Sequence, residues 1–167
     1  PAAADQDWSI FRAYTSLAHA ESGIENTGIA SAIRNFDDWT AGGTAATDDV
    51  GKNILTSNEV WNIACYAGAV ADTTSVTIDG WTTGASNYIK VYTPNNIATE
   101  VNQSQRHTGK WDTGKYSLEV INNNGLDIRE DYVRVEGLQV KVTVNSPGDV
   151  LGICSGRVGS LTLGSSD

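Results

Sequence analysis

The chain has 167 residues, of which 40% are hydrophobic and 19% charged, and its formal net charge is −9 at pH 7. This length corresponds to one domain that can bury a sizeable core. The 20 acidic and 11 basic residues leave no basic footprint for a nucleic acid, and no apolar run is long enough to cross a bilayer. We therefore expect neither a nucleic-acid partner nor a membrane span.

The first predicted elements are a strand at 8–14 and a short helix at 16–22. Residues 8–14 are rich in side chains that favour β-structure. Thr15 offers a hydroxyl as N-cap of the helix, and Gly23 is typical of the residue that ends one. A strand followed by a small helix is therefore expected to open the fold.

An acidic insertion is predicted to follow this opening. Residues 24–58 have irregular apolar spacing and a polar stretch rich in Gly, Thr and Asp, so we expect a loop with one short helix near 28–36. The chain is thus divided into an N-terminal part, 1–58, which contains the strand, the helix and the insertion, and a second part, 59–167. Together the two parts are expected to form one domain.

Short β-strands are predicted throughout the second part. Apolar-x-apolar units recur there at short intervals, turn residues separate them, and no segment has helical periodicity. This spacing favours an all-β fold, a short right-handed parallel β-helix with a small N-terminal capping helix. Asn124-Gly125 is typical of a hairpin turn, which leaves an antiparallel β-sandwich as the alternative. The predicted strands are 60–66, 75–79, 88–92, 116–120, 126–128, 132–135, 138–142 and 150–154.

Four segments carry a likeness to known proteins: RAYTSLAHAE at 12–21, VTIDGWTTGASNYI at 76–89, RHTGK at 106–110 and EDYVRVEGL at 130–138. They resemble the opening strand and capping helix, the first coil, a loop and a later coil of right-handed parallel β-helix proteins of the pectate-lyase-like group. The resemblance implies the β-helix fold. Because that group includes bacterial surface proteins, phage tail proteins and carbohydrate-active enzymes, it implies little about activity.

The end of such a stack of strands gives the first functional hypothesis. A last layer leaves backbone groups and apolar side chains uncovered and requires a cap or a partner, and residues 158–163 do not resemble a polar capping helix. We therefore expect a non-catalytic structural or self-assembling subunit, such as a surface, filament or virion protein, that forms a homo-oligomer or polymer. The absence of Met and the start at Pro1 favour an exported mature chain or an excised fragment, hence an extracellular location.

Asp127, Arg129 and Asp131 are the candidate catalytic residues of an enzymatic alternative. Alternate residues of an extended segment lie on one face, so the three side chains would be neighbours. Two carboxylates can serve as acid and base in glycoside hydrolysis, and a basic residue can assist a lyase reaction. The alternative is thus a polysaccharide lyase or glycosidase, although a solvated face with salt bridges is the simpler interpretation.

Arg106, His107 and Trp111 are the candidate ligand-binding residues. They belong to a loop rich in Gln, Thr and Gly, and loops are where ligand-binding residues concentrate. An aromatic ring with nearby polar and charged groups suits stacking on a sugar. A carbohydrate-binding module with a glycan partner is therefore the third hypothesis.

Asp37, Asp38, Asp48 and Asp49 are candidate ligands of a metal. Carboxylate oxygens are the ligands that Ca²⁺ prefers, although these residues lack the spacing of an EF-hand loop. No other cofactor is expected. Weak calcium or glycan binding is thus an additional property of the predicted subunit.

Cys65 and Cys154 are far apart in the sequence and lack C-x-x-C spacing. A metal site would require further cysteine or histidine ligands, and the chain has only two histidines. The two cysteines are therefore predicted either as free thiols or as a long-range disulfide, which export would favour.

Overall fold

A computed structural model describes residues 12–22, 52–101, 103–146 and 148–156. The helix predicted near 28–36 and the first residues of the predicted strand at 8–14 lie outside these ranges. Within them, no helix has both the length and the apolar character needed to span a membrane.

The described part of the chain is mostly sheet, which confirms the all-β prediction in its coarse form. A short helix after residue 53 was not predicted; it begins after Asn53, whose side chain accepts a hydrogen bond from the Thr56 N–H at 3.1 Å. In chain order the elements are β1 Arg12–Tyr14, α1 Leu17–Ser22, α2 Ile54–Ser57, β2 Trp61–Cys65, β3 Val76–Ile78, β4 Ile89–Tyr92, β5 Ser117–Ile121, β6 Leu126–Ile128, β7 Val133–Glu136, β8 Gln139–Thr143 and β9 Ile153–Ser155.

The strands pair in three separate sheets. The first has the order β1-β2-β4-β7, the second β3-β6-β9, and the third contains only β5 and β8. Every pairing between these strands is parallel. Neighbours within a sheet are therefore distant in sequence, as parallel pairing requires.

The predicted parallel β-helix is wrong, and so is the sandwich alternative. Antiparallel hairpins are the unit of a sandwich, and the named strands form none. The sheets are short, contain four, three and two strands, and do not close or repeat as the coils of a solenoid. The connections are too unequal for a regular coil: residues 93–116 join β4 to β5, whereas residues 122–125 join β5 to β6. Apolar-x-apolar units specify short strands with one apolar face, but they do not specify how those strands are grouped.

The three sheets share one core. Their inward side chains form a cluster with α1, and successive strands place apolar residues in register, so that Ile63, Val91 and Val135 follow one another across the first sheet. The largest fully buried side chains include Tyr116, Leu17, Ile63, Ile78, Ile89, Leu118 and Leu126. Parallel sheets are usually covered, and here each sheet covers the inward face of the others.

Candidate functional site

Two of the three candidate catalytic residues form an ion pair. Asp127 Oδ2 accepts a hydrogen bond from Arg129 Nε at 2.9 Å and lies 2.8 Å from Arg129 Nη2, and Arg129 Nη1 lies 3.8 Å from Asp79 Oδ2. The hydrogen bond and the charge of Asp127 raise the pKa of Arg129. Asp131 is exposed in the bend after β6, and its backbone carbonyl accepts a hydrogen bond from the Thr83 hydroxyl at 2.9 Å. Asp127 and Arg129 are therefore partners in an ion pair, and their catalytic role stays a prediction.

The three candidate ligand-binding residues lie in the connection from β4 to β5 but have different surroundings. Arg106 turns back onto the first sheet, where Nη2 donates to the Thr93 carbonyl at 3.1 Å and lies 3.8 Å from Glu136 Oε2. His107 Nδ1 accepts a hydrogen bond from the backbone two residues later, at 3.0 Å. The Trp111 side chain is 45% exposed. Arg106 thus contributes to the sheet, and glycan binding by this loop stays a prediction.

The four candidate metal ligands, Asp37, Asp38, Asp48 and Asp49, lie outside the described residues. Among the residues that are described, no group of three or more His, Cys, Asp and Glu side chains could hold a metal ion. Calcium binding therefore stays a prediction.

Both cysteines are free thiols in the structure. Cys65 is fully buried in β2, where burial and, to a smaller extent, the charge of Asp72 raise its pKa far above the ordinary value. Cys154 is half-buried in β9; burial and the nearby Asp127, whose Oδ1 lies 3.6 Å from Sγ, raise its pKa. Both thiols are therefore protonated at neutral pH, which makes them poor nucleophiles.

The outward face of the first sheet carries charges that pair with one another. Lys90 Nζ lies 3.2 Å from Glu136 Oε2 and 4.6 Å from the centre of the Tyr92 ring. On β7, the Arg134 guanidinium lies 3.5 Å from the centre of the Tyr88 ring, a cation–π contact. Burial, followed by the charge of a neighbouring glutamate, raises the pKa of Tyr92 to about 12. This face holds β4 and β7 side by side with polar contacts.

A buried carboxylate covers the first edge of the third sheet. Asp72 is 7% exposed, and its Oδ2 accepts hydrogen bonds from the Leu17 N–H at 2.7 Å and from the Tyr116 hydroxyl at 3.0 Å. Its backbone pairs with β5, donating to the Ser117 carbonyl at 2.9 Å and accepting from the Glu119 N–H at 2.7 Å. Burial raises the pKa of Tyr116 well above its ordinary value, so the hydroxyl remains a donor to Asp72.

Helix α1 covers the first edge of the second sheet. It packs against β3 and buries Leu17, Ala20 and Glu21. Glu21 Oε1 accepts hydrogen bonds from Lys52 Nζ at 2.6 Å and from the Trp81 indole N–H at 3.2 Å. We call α1 together with Asp72 the covered end of the sheets.

The opposite end lacks such a cover among the described residues. We call β7, β8 and β9, the last strands of the three sheets, the open end. Their inward apolar side chains are half-buried or exposed, although their neighbours in the preceding strands are at most 2% exposed. The neighbouring pairs are Ile89 and Val133, Val91 and Val135, Leu118 and Val140, Val120 and Val142, and Leu126 and Ile153. We call these pairs the apolar rows. In each row the side chain is buried in one strand and only partly buried or exposed in the next strand, which is the last of its sheet.

The candidate functional site is therefore the open end, and the sequence motifs did not identify it. In the sequence, the valines of the open end have the same apolar pattern as buried core positions. Their exposure depends on which strand is the last of its sheet. A comparison of the chain with protein-family models, curated proteins and solved structures finds no match. The resemblance to the pectate-lyase-like group accordingly stays a prediction.

Proposed function

We propose that this protein is a non-catalytic structural subunit that associates with further copies of itself through the open end. The observation that supports this proposal is the loss of cover along the five apolar rows at β7, β8 and β9. An extracellular or virion location belongs to the same proposal and stays a prediction.

Association would remove two unfavourable features of the open end at once. Full burial of a valine or isoleucine side chain contributes about 1.5–3 kcal/mol, so completing the burial of half-exposed ones contributes on the order of 1 kcal/mol each. The last strand of a sheet also presents backbone N–H and C=O groups that another strand can pair with. A second β-edge satisfies both requirements, and a further copy of this chain carries one.

The test is sedimentation velocity of the full chain over a wide range of concentration. We expect the wild type to associate as its concentration rises. Ile153→Lys places a charge in β9 at a side chain already 46% exposed, so the variant should fold and remain monomeric. Ile97→Lys is the matched control, because Ile97 is 70% exposed in the connection after β4 and should leave association unchanged.

Three outcomes would overturn the proposal. The first is a wild type that stays monomeric at millimolar concentration, and the second is equal weakening by the two lysine variants. The third comes from a chain that ends at residue 156. If only this shortened chain associates, residues 157–167 are what covers the open end, and a second copy is not its partner.

A further inference from the structure

We propose that two copies join by antiparallel pairing of β7 with β7, about a two-fold axis at Val135, and so form a closed pair. This inference rests on the proposed function, since it specifies how the open end associates. It names the strand, the register and the symmetry, each from a separate observation.

The backbone of β7 shows which groups face the open edge. Immediately before β7, the Tyr132 carbonyl accepts a hydrogen bond from the Ile89 N–H at 3.2 Å, and at its end the Glu136 carbonyl accepts one from the Thr93 N–H at 3.1 Å. Because backbone groups of successive residues point to opposite sides of a strand, even-numbered residues of β7 bind β4. The N–H and C=O groups of Val133 and Val135 therefore point away from β4.

An antiparallel partner must match these outward groups. In such a pair, two residues directly opposite each other exchange both hydrogen bonds, and the residues that flank them form a non-hydrogen-bonded pair with closer side chains. Three registers place outward groups of β7 opposite one another near its middle. Their two-fold axes pass through Arg134, Val135 or Glu136.

Charge selects one register. An axis at Arg134 places that arginine opposite its own copy, and an axis at Glu136 does the same with a glutamate, so both registers are repulsive. An axis at Val135 places Arg134 of each copy opposite Glu136 of the other, which gives two attractive pairs on the outward face. The sequence Val133-Arg134-Val135-Glu136 is thus complementary to itself only when the axis is at Val135.

The contacts within one copy are compatible with this register. Glu136 is 45% exposed although Lys90 Nζ lies 3.2 Å and Arg106 Nη2 3.8 Å from its Oε2 atom, so its second oxygen can accept a further cation. Arg134 is exposed and its guanidinium carbon lies over the Tyr88 ring, and because a cation–π contact needs no hydrogen bond, its N–H groups can donate to a carboxylate. On the inward side, the pairing brings Val135 against Val135.

The covered end explains why the pair should be closed. A filament would require the last strands β7, β8 and β9 of one copy to pair with the first strands β1, β5 and β3 of the next, and two of these three first strands are covered. The edge of β5 already binds the backbone of Asp72, and α1 packs against β3. An interface that uses the same surface of both copies leaves no free end to extend, and the assembly stops at two.

Disulfide trapping tests the register directly. Non-hydrogen-bonded antiparallel neighbours have Cα atoms about 4.5 Å apart, within the range of a disulfide. In a Cys154→Ser background that retains the buried Cys65, Arg134→Cys chains and Glu136→Cys chains carry tags of different size. On mild oxidation we expect the mixture to give at least tenfold more cross-linked dimer than either variant alone. Arg129→Cys mixed with Glu136→Cys is the matched control and should give only background.

The outcomes separate this inference from the proposed function. A wild type that never associates would overturn both. Association without cross-linking in the mixture, or efficient cross-linking of Arg134→Cys with itself, would overturn the register while the proposed function stands. A concentration series that continues past the dimer to longer species would overturn the closed pair. A dimer limit together with cross-linking confined to the mixture would support the inference.

Discussion

The covered end and the open end of the sheets begin from the same apolar pattern and differ in what lies next to it. At the covered end, the rows of the second and third sheets stop at α1 and at the buried carboxylate of Asp72. At the open end, the described residues place no further layer on β7, β8 and β9. The comparison shows that the strands alone do not determine which end of a parallel stack is complete; the covering element does.

The covered end contains a buried polar group, the carboxylate of Asp72. A buried carboxylate is costly unless hydrogen bonds compensate for its lost solvation. Asp72 obtains them from the Leu17 N–H, the Tyr116 hydroxyl and, through Oδ1, the Thr74 N–H at 3.2 Å. These donors belong to the first residue of α1, to the residue just before β5 and to a residue shortly after Asp72. The Asp72 side chain therefore connects the helix to the third sheet.

The largest expected effect is the removal of this carboxylate. Asp72→Ala leaves the Leu17 N–H and the Tyr116 hydroxyl buried without an acceptor, and each such group costs about 1–3 kcal/mol. We expect the free energy of unfolding to fall by about 4 kcal/mol in urea titrations. Asp127→Ala is the matched control on β6, the strand beside β9, and its loss should be much smaller because the Asp127–Arg129 ion pair lies at the surface, where Arg129 is 38% exposed.

Equal losses in these two aspartate variants would contradict the comparison. They would mean that the surface carboxylate on β6 is as important to folding as the buried one at the covered end.

A second prediction compares two members of one apolar row. Leu118 and Val140 are neighbours in register, but only Leu118 is fully buried. Leu118→Ala should lower the free energy of unfolding by about 3 kcal/mol through lost burial and a cavity, whereas Val140→Ala should cost about 1 kcal/mol. Both are measured by urea unfolding at low protein concentration, where the chain is monomeric.

The same pair also sharpens the proposed function. If Val140 is covered in an assembly, the cost of Val140→Ala should rise with protein concentration and that of Leu118→Ala should not. A cost of Val140→Ala that is large even at high dilution would show that a single chain already covers it.

The sequence predicted individual strands well, because period-two apolar units are local signals. The segment 126–128 was predicted with the bounds of β6, and 88–92 differs from β4 by one residue. The grouping of strands into sheets was not predictable from such local signals. Val91, Val135 and Val140 have similar surroundings in the sequence, but the first two lie on paired strands of the first sheet and Val140 lies in the third sheet.

The candidate site was not predicted by local patterns. An uncovered end was expected for the last coil of a β-helix, a predicted fold that is wrong, and the location of the open end depends on the order of strands across each sheet, which no local pattern encodes. Asp72 was missed for a related reason. In the sequence it is one polar residue of a turn beside Thr73 and Thr74, and its main partner, Leu17, is 55 residues away.

The smallest expected effect concerns the turn that joins β7 to β8, two strands of the open end that are consecutive in the chain but belong to different sheets. Gly137 has a φ of +71°, and a Cβ atom there would lie 2.6 Å from the Oγ1 atom of the buried Thr93 and would also contact Arg106 Nε. Gly109 has a φ of +90° with no atom within 4 Å of such a Cβ, so it reports the backbone cost alone. We expect Gly109→Ala to cost about 1 kcal/mol and Gly137→Ala about 2 kcal/mol in urea titrations, since only the second variant adds a steric clash.

Because Arg106 contacts Glu136, the clash in Gly137→Ala should also weaken dimerisation. Gly109→Ala should leave dimerisation unchanged. Identical effects of the two alanine variants would show that this turn does not position β7.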